Sequence, residues 1–565
     1  MRTANTSLEF NRVPTRAVSP VWHFARDGTP RLLVLANSAR PCQLGYNGRL
    51  VFAGCAAMNP NLYTELATGF PGDPAAPCMI LPDGRVWTYN DVERASARMA
   101  GMIVALGLKP GDRVAAQVEK TPEALVLYLA SLRAGTVFLP LNPAYQRHEL
   151  EHFLKDATPG LFVCRPQVRV LADELAVLAG VAHVLELDDA GRGSLIDAAA
   201  PYADEFATVP REKNDLAAIL YTSGTTGRSK GAMLSHGNLA HNARTLHEYW
   251  RFQPADVLLH MLPTFHVHGL FVACHTALLN GSAMFFEPKF DAARAMKLLP
   301  ESTVMMGVPT YYVRLLLDPA FGRETCCTMR LFISGSAPLL KETFDEFKAR
   351  TGHTILERYG MTEGGMFTSN PYDGERRGGT VGFPLPGTTI RIVGAGGTAV
   401  KTGAIGAIQV KGENVFLGYW GMPEKTLEEF TADGFFKTGD MGSWDAEFYI
   451  TISGRSKDLV ITGGLNVYPK EIEELIDALP GVAESAVIGL PHPDFGEAVT
   501  AVVVRQKNAA GKALTEAGII AAVKDQLANF KVPKWVYLVD DLPRNAMGKV
   551  QKNLLRQEYS PMPKR

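Results

Sequence analysis

The order of apolar and polar positions predicts alternating strands and helices from about residue 58 to about residue 450. Short apolar runs such as "RVAAQV" (113–118), "STVMMGV" (302–308) and "RLFISGS" (330–336) are typical of buried strands. Helical patterns lie between such runs, and "TPEALVLYLASLRAG" (121–135) is the clearest of them. Strands that alternate with helices at this spacing indicate an α/β fold with layered mixed or parallel sheets.

The pattern changes after residue 455 and predicts a second, smaller domain. A helical run, "PKEIEELIDAL" (469–479), is followed by two strand-like runs, "ESAVIGLP" (484–491) and "EAVTAVVVR" (497–505), and by a helix near 514–529. A chain of 565 residues is also longer than one hydrophobic core usually supports. We therefore predict a large N-terminal domain over 58–455 and a small, mobile α+β C-terminal domain over 456–565.

The first 57 residues differ from the rest, with seven arginines, no lysine and only two acidic residues. Three interpretations compete for this Arg-rich extension: a transit peptide, a disordered extension, and sequence upstream of the true start. We favour the last two, because "MNPNLYTEL" from Met58 begins like a capped helix. They imply a cytoplasmic protein, whereas a transit peptide would imply the mitochondrial matrix.

Composition excludes several classes of partner. The 57 Lys and Arg nearly balance the 58 Asp and Glu, so no overall field recruits nucleic acid or an anionic membrane. The seven cysteines are scattered without paired CxxC spacing, which argues against a disulfide framework or a zinc site. The apolar stretches are also too short to span a bilayer, so no membrane insertion is expected.

The strongest local signal is "YTSGTTGRSKG" (221–231), directly after the apolar run "LAAIL". Its glycines, hydroxyl side chains and cations offer backbone and side-chain donors to phosphate oxygens. It is not a P-loop, because that motif requires Ser or Thr directly after the lysine, and here Gly231 follows Lys230. We therefore predict a loop that grips phosphates.

This loop is followed, in order, by "YGMTE" (359–363), "KTGD" (437–440), "GRSKDLVITGG" (454–464) and "PRNAMGKVQK" (543–552). Together these motifs resemble the adenylate-forming superfamily of acyl-CoA synthetases, adenylation domains and beetle luciferases. The resemblance extends from Met58 to the end of the chain. It implies an AMP-forming carboxylate–CoA ligase that uses ATP and CoA as co-substrates and Mg²⁺ as a cofactor.

The resemblance also implies roles for individual residues. Lys549 is the expected catalytic lysine, a mobile point charge between the substrate carboxylate and the α-phosphate. Glu363 is the expected magnesium ligand, since a hard ion prefers oxygen donors. Asp440 is expected to accept hydrogen bonds from the ribose hydroxyls, and Arg455 to contact the ribose or phosphate side. The remaining nucleotide-binding residues are expected to be Thr222, which is also a catalytic candidate, Ser223, Gly224, Thr225, Thr226, Gly227, Lys230, Tyr359, Gly360, Met361 and Thr362.

A hinge and a CoA side are implied in the same way. The small domain of this family rotates after adenylation, with Lys457 at the pivot position. Gly463 and Gly464 would allow close approach of a pantetheine arm. Acylation of Lys549 is a known mode of regulation in the family and is compatible with "GKVQK".

The acyl pocket is implied to come from three segments: "PTFHVHGLF" (263–271), "MGVPTYYVRLLL" (306–317) and "ISGSAPL" (333–339). They supply His266, His268, Arg314 and Ser336, where fatty and aryl relatives mostly have apolar or small residues. An Arg, a His and a Ser that converge would suit a second carboxylate. On these segments the chain resembles the malonyl-CoA synthetases, which convert malonate and often methylmalonate. His268 is the more diagnostic histidine, since His266 is common in the wider superfamily.

Two alternatives stay open. One is a ligase for another small or aryl carboxylic acid, which a panel of acids would distinguish. The other, from a different functional class, is a non-catalytic nucleotide-binding relative. Retention of Thr222, Glu363, Asp440 and Lys549 favours catalysis.

Overall fold

The computed structural model describes residues 59–222, 229–462, 465–492, 496–527, 529–545 and 547–560, and two short strands before them. These two strands, Val21–Phe24 and Pro30–Leu33, pair antiparallel to each other. The rest of the Arg-rich extension lies outside the described residues. So do most of the phosphate loop, Ser223, Gly224, Thr225, Thr226 and Gly227, and the hinge glycines Gly463 and Gly464.

The phosphate loop belongs to a sheet of six described strands. Five of them run parallel, and the last strand in the sheet order, Lys230–Ser235, returns antiparallel to Leu216–Thr222. This agrees with the strands predicted at 113–118 and after 215. The order across the sheet is Lys230–Ser235, Leu216–Thr222, Val137–Pro140, Arg113–Gln117, Leu161–Cys164 and His183–Glu186.

A second sheet, of nine described strands, carries most of the other motifs. Six neighbouring strands in its middle run parallel and the outer ones run antiparallel. The carboxyl ends of neighbouring parallel strands meet at one edge, which is where ligands bind in open α/β sheets. The order is Phe383–Pro384, Gly365–Ser369, Leu356–Met361, Leu331–Ser334, Val304–Gly307, Val257–His260, Ala283–Phe286, Pro77–Ile80 and Val86–Thr88.

Two further sheets complete the described fold. An antiparallel sheet of four strands precedes residue 456, and its strands are Thr388–Val393, Gly406–Gly412, Phe436–Trp444 and Ile450–Arg455. The other is a sheet of five described strands in the predicted small domain. Its strands are Leu465–Val467, Val460–Thr462, Gly496–Arg505, Val482–His492 and Trp535–Val539.

The helices begin where the sequence supplies caps. Thr121 caps Pro122–Arg133 by accepting from the N–H of Ala124, and the proline occupies the first turn, where a missing donor costs nothing. Asn61 likewise caps Leu62–Ala67, as "MNPNLYTEL" predicted. The described α-helices are Leu62–Ala67, Tyr89–Ala105, Pro122–Arg133, Arg147–Ala157, Arg169–Ala179, Ser194–Ala199, His236–Tyr249, His275–Asn280, Ala292–Leu298, Pro309–Leu316, Lys341–Thr351, Pro423–Glu429, Pro469–Asp477, Ala509–Ala513, Glu516–Gln526 and Lys552–Tyr559.

The predicted small domain has apolar clusters of its own. Val460, Ile472 and Val499 belong to one cluster on its sheet, and Leu555 of the last helix packs in another. The residues from Asn59 onward nevertheless form one contact unit, because the small domain packs on the large one. Within the described residues, no helix is long and apolar enough to cross a membrane.

Candidate active site

The strands before and after the phosphate loop, Leu216–Thr222 and Lys230–Ser235, pair with each other next to the ends of the loop. Thr222 and Lys230 are paired across the antiparallel ladder. Lys230 is 7% exposed, its Nζ lies 4.6 Å from the ring centroid of Tyr419, and it pairs with Glu429 at 3.7 Å. Its charge is therefore held at the base of the loop, as a phosphate-binding role requires.

Two residues that the sequence analysis missed tie this loop to the helix Arg147–Ala157. The Tyr221 hydroxyl donates to Asp156 at 2.6 Å. One turn earlier, Nε2 of His152 lies 3.1 Å from the carbonyl oxygen of Ser229. The i, i+4 spacing of the two helical residues places them on one face and was the available signal.

Glu363 lies in the turn between the strands Leu356–Met361 and Gly365–Ser369 and is 6% exposed. The Tyr419 hydroxyl donates to its Oε1 at 3.0 Å, and burial raises the pKa of Glu363. No group of three or more potential metal ligands is present among the described residues. A single buried carboxylate fits an ion such as Mg²⁺ that is held mainly by substrate phosphates.

Asp440 lies in the strand Phe436–Trp444 and is 5% exposed. Each of its oxygens has a polar neighbour: the Tyr359 hydroxyl donates to Oδ2 at 2.5 Å, and Arg455 Nε lies 3.1 Å from Oδ1. The carboxylate of Asp440 raises the pKa of Arg455. The three nucleotide-side residues predicted from three separate motifs are thus in direct contact.

Lys549 is presented by a hairpin in which Arg544 and Val550 form an antiparallel bridge. Met547 of this hairpin joins the apolar cluster of the large domain, and a Cβ at Gly548 would lie 3.3 Å from the side chain of Thr310. The small domain therefore places the lysine against the large one. The amine of Lys549 is affected by the charges of Asp440 and Arg455, and burial lowers its pKa to about 8.

The residue predicted as a pivot, Lys457, lies in the 3₁₀ turn Ser456–Asp458 and is exposed. This turn follows the last strand of the four-stranded sheet and precedes the small domain's sheet. Asp458 pairs with Arg556 of the last helix at 2.9 Å, which ties this turn to the C-terminal helix.

On the acyl side, the two histidines and the serine are joined by hydrogen bonds. The backbone N–H of His268 donates to Nδ1 of His266 at 3.2 Å, and the Ser336 hydroxyl lies 3.2 Å from Nδ1 of His268. His268 begins a π-helix, His268–Cys274, a rare element that is frequent at functional sites. Ser336 has a φ of +72°, a strained value for a residue with a side chain.

The histidine His268 is fully buried, and its Nε2 has no hydrogen-bond partner among the described residues. Burial lowers the pKa of His266 to about 4 and that of His268 well below 6.5, and the positive charge of Arg358 adds to both effects. Both imidazoles are therefore neutral near pH 7.

Arg358 is the main residue that the sequence analysis missed. It is 3% exposed, and its Nε and Nη2 have no hydrogen-bond partner in the described parts of the chain. The guanidinium lies against Gly335, where an added Cβ would be 2.4 Å from Nη1. Burial lowers the pKa of Arg358 to about 9. The available signal was a Glu-Arg pair, Glu357 and Arg358, within an otherwise buried strand.

Arg314 differs from its expectation. The sequence argument required a desolvated Arg314 beside His268 and Ser336, but the side chain lies on the exposed face of the helix Pro309–Leu316. No hydrogen bond or ion pair joins it to the described residues. It lies one turn after Thr310, on the helix face that contacts the Lys549 hairpin.

Comparison with known proteins decides the family. The AMP-binding enzyme family matches residues 64–420, and the AMP-binding enzyme C-terminal domain matches residues 471–549. The chain belongs to the AMP-binding enzymes. Each match lies within one of the two domains that the sequence pattern predicted. The exact boundary at residue 455 stays a prediction.

Three named proteins show what this AMP-binding enzyme is similar to. The ATP-bound structure of MatB from Rhodopseudomonas palustris is 56% identical over 89% of this chain and 99% of that chain, with a TM-score of 0.87. A malonate–CoA ligase from Arabidopsis thaliana is 34% identical over 85% of each chain. A feruloyl-CoA synthase from an Amycolatopsis species is 34% identical over 84% of this chain and 94% of its own.

The arrangement of this AMP-binding enzyme is more similar to a nucleotide-bound state of MatB than to the empty one. The apo structure of MatB, at the same 56% identity, gives a TM-score of 0.77, against 0.87 with ATP bound. This agrees with the position of the hairpin that carries Lys549, next to Asp440 and Arg455.

Proposed function

We propose that this AMP-binding enzyme is an AMP-forming malonate–CoA ligase. A malonate carboxylate oxygen attacks the α-phosphorus of ATP and pyrophosphate leaves, which forms malonyl-AMP. The CoA thiol, losing its proton, then attacks the acyl carbon and AMP leaves with the former carboxylate oxygen. The observation that carries the choice of acid is the buried guanidinium of Arg358, whose Nε and Nη2 have no partner among the described residues and which lies against Gly335 and acts on His268.

Arg358 suits a second carboxylate for energetic reasons. A buried guanidinium without a partner is costly, and a carboxylate supplies two acceptors in matching geometry. An acid that lacks the second carboxylate leaves the cation unpaired, at a cost of roughly 2 to 5 kcal/mol, or about 30-fold or more in selectivity. A short dicarboxylate removes that cost. In the tautomer whose Nδ1 accepts from the Ser336 hydroxyl, the neutral His268 would donate from Nε2 to the same carboxylate.

Arg314 stays a candidate at the rim of this pocket. It lies on the face of its helix that meets the Lys549 hairpin, so a long side chain there can reach an anion between the two domains. We place it second to Arg358 because an exposed cation discriminates less between acids than a buried one.

The nucleotide side follows the sequence-derived assignment. Thr222, Lys230 and the five loop residues from Ser223 to Gly227 would bind the phosphates, and Tyr359 to Thr362 would line the nucleotide. Asp440 and Arg455 would hold the ribose. Glu363 would hold Mg²⁺, which when bound neutralises phosphate charge. Lys549 would lie between the carboxylate and the α-phosphate, where it stabilises the developing charge.

The second half-reaction requires access for CoA. We retain Lys457 as the pivot and Gly463 and Gly464 as the loop that admits pantetheine. Methylmalonate differs by one methyl group, which a pocket rejects only weakly, so we propose that it is accepted as well.

The test is a panel of acids in a pyrophosphate-release assay with purified protein, ATP and Mg²⁺. Malonate and methylmalonate should be turned over at least about 30-fold better, in kcat/KM, than acetate, butyrate or ferulate. A preference for ferulate would support the aryl-acid alternative, to which the feruloyl-CoA synthase relative points. No turnover of any acid would favour the non-catalytic alternative.

A further inference from the structure

An ion pair between two residues that have no role assigned above lies at the hairpin of Lys549. Arg544 donates from Nη1 to the carbonyl oxygen of Gly548 at 2.8 Å. Its other terminal nitrogen, Nη2, forms an ion pair with Glu484 of the strand Val482–His492. One guanidinium therefore connects the sheet of the small domain to the peptide bond just before Lys549.

The hairpin itself is well braced around this contact. The side chain of Asn545 accepts from the backbone N–H groups of Met547 and Lys549 at 3.0 and 2.9 Å. Gly548 has a φ of +74°, which favours glycine and gives a tight turn. These local bonds fix the shape of the turn but do not attach it to the small domain. The ion pair of Arg544 does so, together with the apolar contacts of Leu542 and Val550.

The position of the hairpin matters because the amine must meet two anions within a fraction of an ångström. Lys549 has a flexible stem of four carbons, so its backbone position sets the range of the amine. Misplacement by about 1 Å can cost about 100-fold in rate. An ion pair that is only about a quarter exposed on each side, 26% for Arg544 and 28% for Glu484, is well suited to hold such a position.

We propose that Glu484 and Arg544 are positioning residues for adenylate formation: Glu484 orients Arg544, and Arg544 holds the Gly548 carbonyl so that Lys549 meets the nucleotide-side residues. Neither residue has a substrate-binding role in the proposed function. This inference rests on the proposed role of Lys549.

The chain supplies a matched control. Lys531 and Glu471 form another ion pair of the small domain, at 2.6 Å, with similar exposure of 23% and 37%. Within the described part of the hairpin, no residue forms a hydrogen bond or ion pair with either member of that pair. Glu471→Ala therefore removes an equivalent ion pair from the same domain.

The experiment measures the two half-reactions separately, as malonate-dependent ATP–pyrophosphate exchange and as CoA thioester formation from supplied malonyl-AMP. Lys549→Ala defines which half-reaction depends on the lysine. Glu484→Ala and Arg544→Met should lower the exchange by about 10- to 100-fold and change thioester formation by less than about twofold. Glu484→Gln, which still accepts from Arg544, should fall in between, and Glu471→Ala should change neither step.

Thermal unfolding of each variant checks the fold, and Glu484→Gln serves as the test variant if Glu484→Ala does not fold. Equal losses in both half-reactions, or wild-type exchange in Glu484→Ala, would overturn the inference. The same holds if Glu471→Ala loses exchange to the same extent. Failure of the underlying proposal gives a different result, namely that Lys549→Ala keeps its exchange activity.

Discussion

The hydroxyl of Tyr359 donates a 2.5 Å hydrogen bond to Oδ2 of Asp440, a residue 81 positions later in the chain. The bond joins the end of the parallel sheet to the antiparallel sheet that precedes the small domain. Arg455 approaches the other oxygen of the same carboxylate. Asp440 therefore has a fixed orientation before a nucleotide arrives, which lowers the entropic cost of binding one.

We predict that Tyr359→Phe weakens ATP binding. The substitution removes one hydrogen bond to a buried carboxylate, which is worth about 1.5 to 3 kcal/mol, so the KM for ATP should rise by about 10-fold or more. The kcat should change much less, because the phenol does not touch the reacting atoms. Initial rates at varied ATP measure this, with the KM for malonate as the internal control. A lower kcat with an unchanged KM for ATP would contradict the prediction.

We predict that Arg358→Met removes the preference for a dicarboxylate. Methionine fills much of the space of the arginine stem without its charge, so kcat/KM for malonate should fall by about 30-fold or more, while that for acetate should stay within about threefold. The ratio of the two kcat/KM values measures the effect.

Arg314→Ala is the companion variant. Because Arg314 is exposed, its loss should change the malonate-to-acetate ratio by less than the loss of Arg358 does. A larger change of this ratio in Arg314→Ala than in Arg358→Met would indicate that Arg314 recognises the second carboxylate, as the sequence analysis expected. Equal losses on both acids in both variants would show that neither arginine recognises that carboxylate.

The difference between these arginines shows what the sequence could and could not predict. Strand and helix patterns predicted the layered α/β architecture of the large domain, since burial periodicity is a local property. The family resemblance implied that Tyr359, Asp440 and Arg455 lie on the nucleotide side, and the folded chain brings them into contact. Whether a side chain of a helix or strand points inward depends on the neighbouring elements. Gly335, for example, leaves room for the guanidinium of Arg358. Local sequence does not contain that information.

A second limit concerns partners that are far apart in the chain. The ion pair of Glu484 with Arg544 and the bond between Asp156 and Tyr221 each link segments about 60 residues apart. Neither pair has a fixed spacing that a motif could record. Such contacts support the functional residues and become visible only in the folded chain.

We predict that the free energy of unfolding falls as pH decreases from about 6.5 to 5. The folded-state pKa values of five histidines lie below the unfolded value near 6.5, so the unfolded chain takes up protons first. Each such group costs about 1.4 kcal/mol per pH unit between its two pKa values. Two carboxyls with pKa values raised to about 7, Glu357 and Asp477, act in the opposite direction. The histidines are His236, His260, His266, His268 and His275.

Urea unfolding between pH 7 and 5 measures this dependence. His275→Gln is the control, because it removes one of the histidines that take up a proton on unfolding. The slope of the free energy of unfolding against pH should therefore decrease by the equivalent of about one proton. The imidazole of His275 is fully buried against the Tyr128 hydroxyl, at 2.8 Å, and its pKa is lowered to about 3. Stability that rises from pH 6.5 to 5 would mean that the carboxyls outweigh the histidines.

We predict that adenylation activity falls at alkaline pH because Lys549 loses its proton. The amine can neutralise charge between the carboxylate and the α-phosphate only when protonated, and burial lowers its pKa to about 8. The kcat/KM for malonate-dependent ATP–pyrophosphate exchange reports the free enzyme and should therefore fall as pH rises through about 8. Exchange is measured without CoA, whose thiol titrates in the same range. The Lys549→Arg variant keeps its charge at every pH tested. It should show lower exchange, but without this decrease at high pH. A decrease of kcat/KM at the same pH in Lys549→Arg would show that another group titrates.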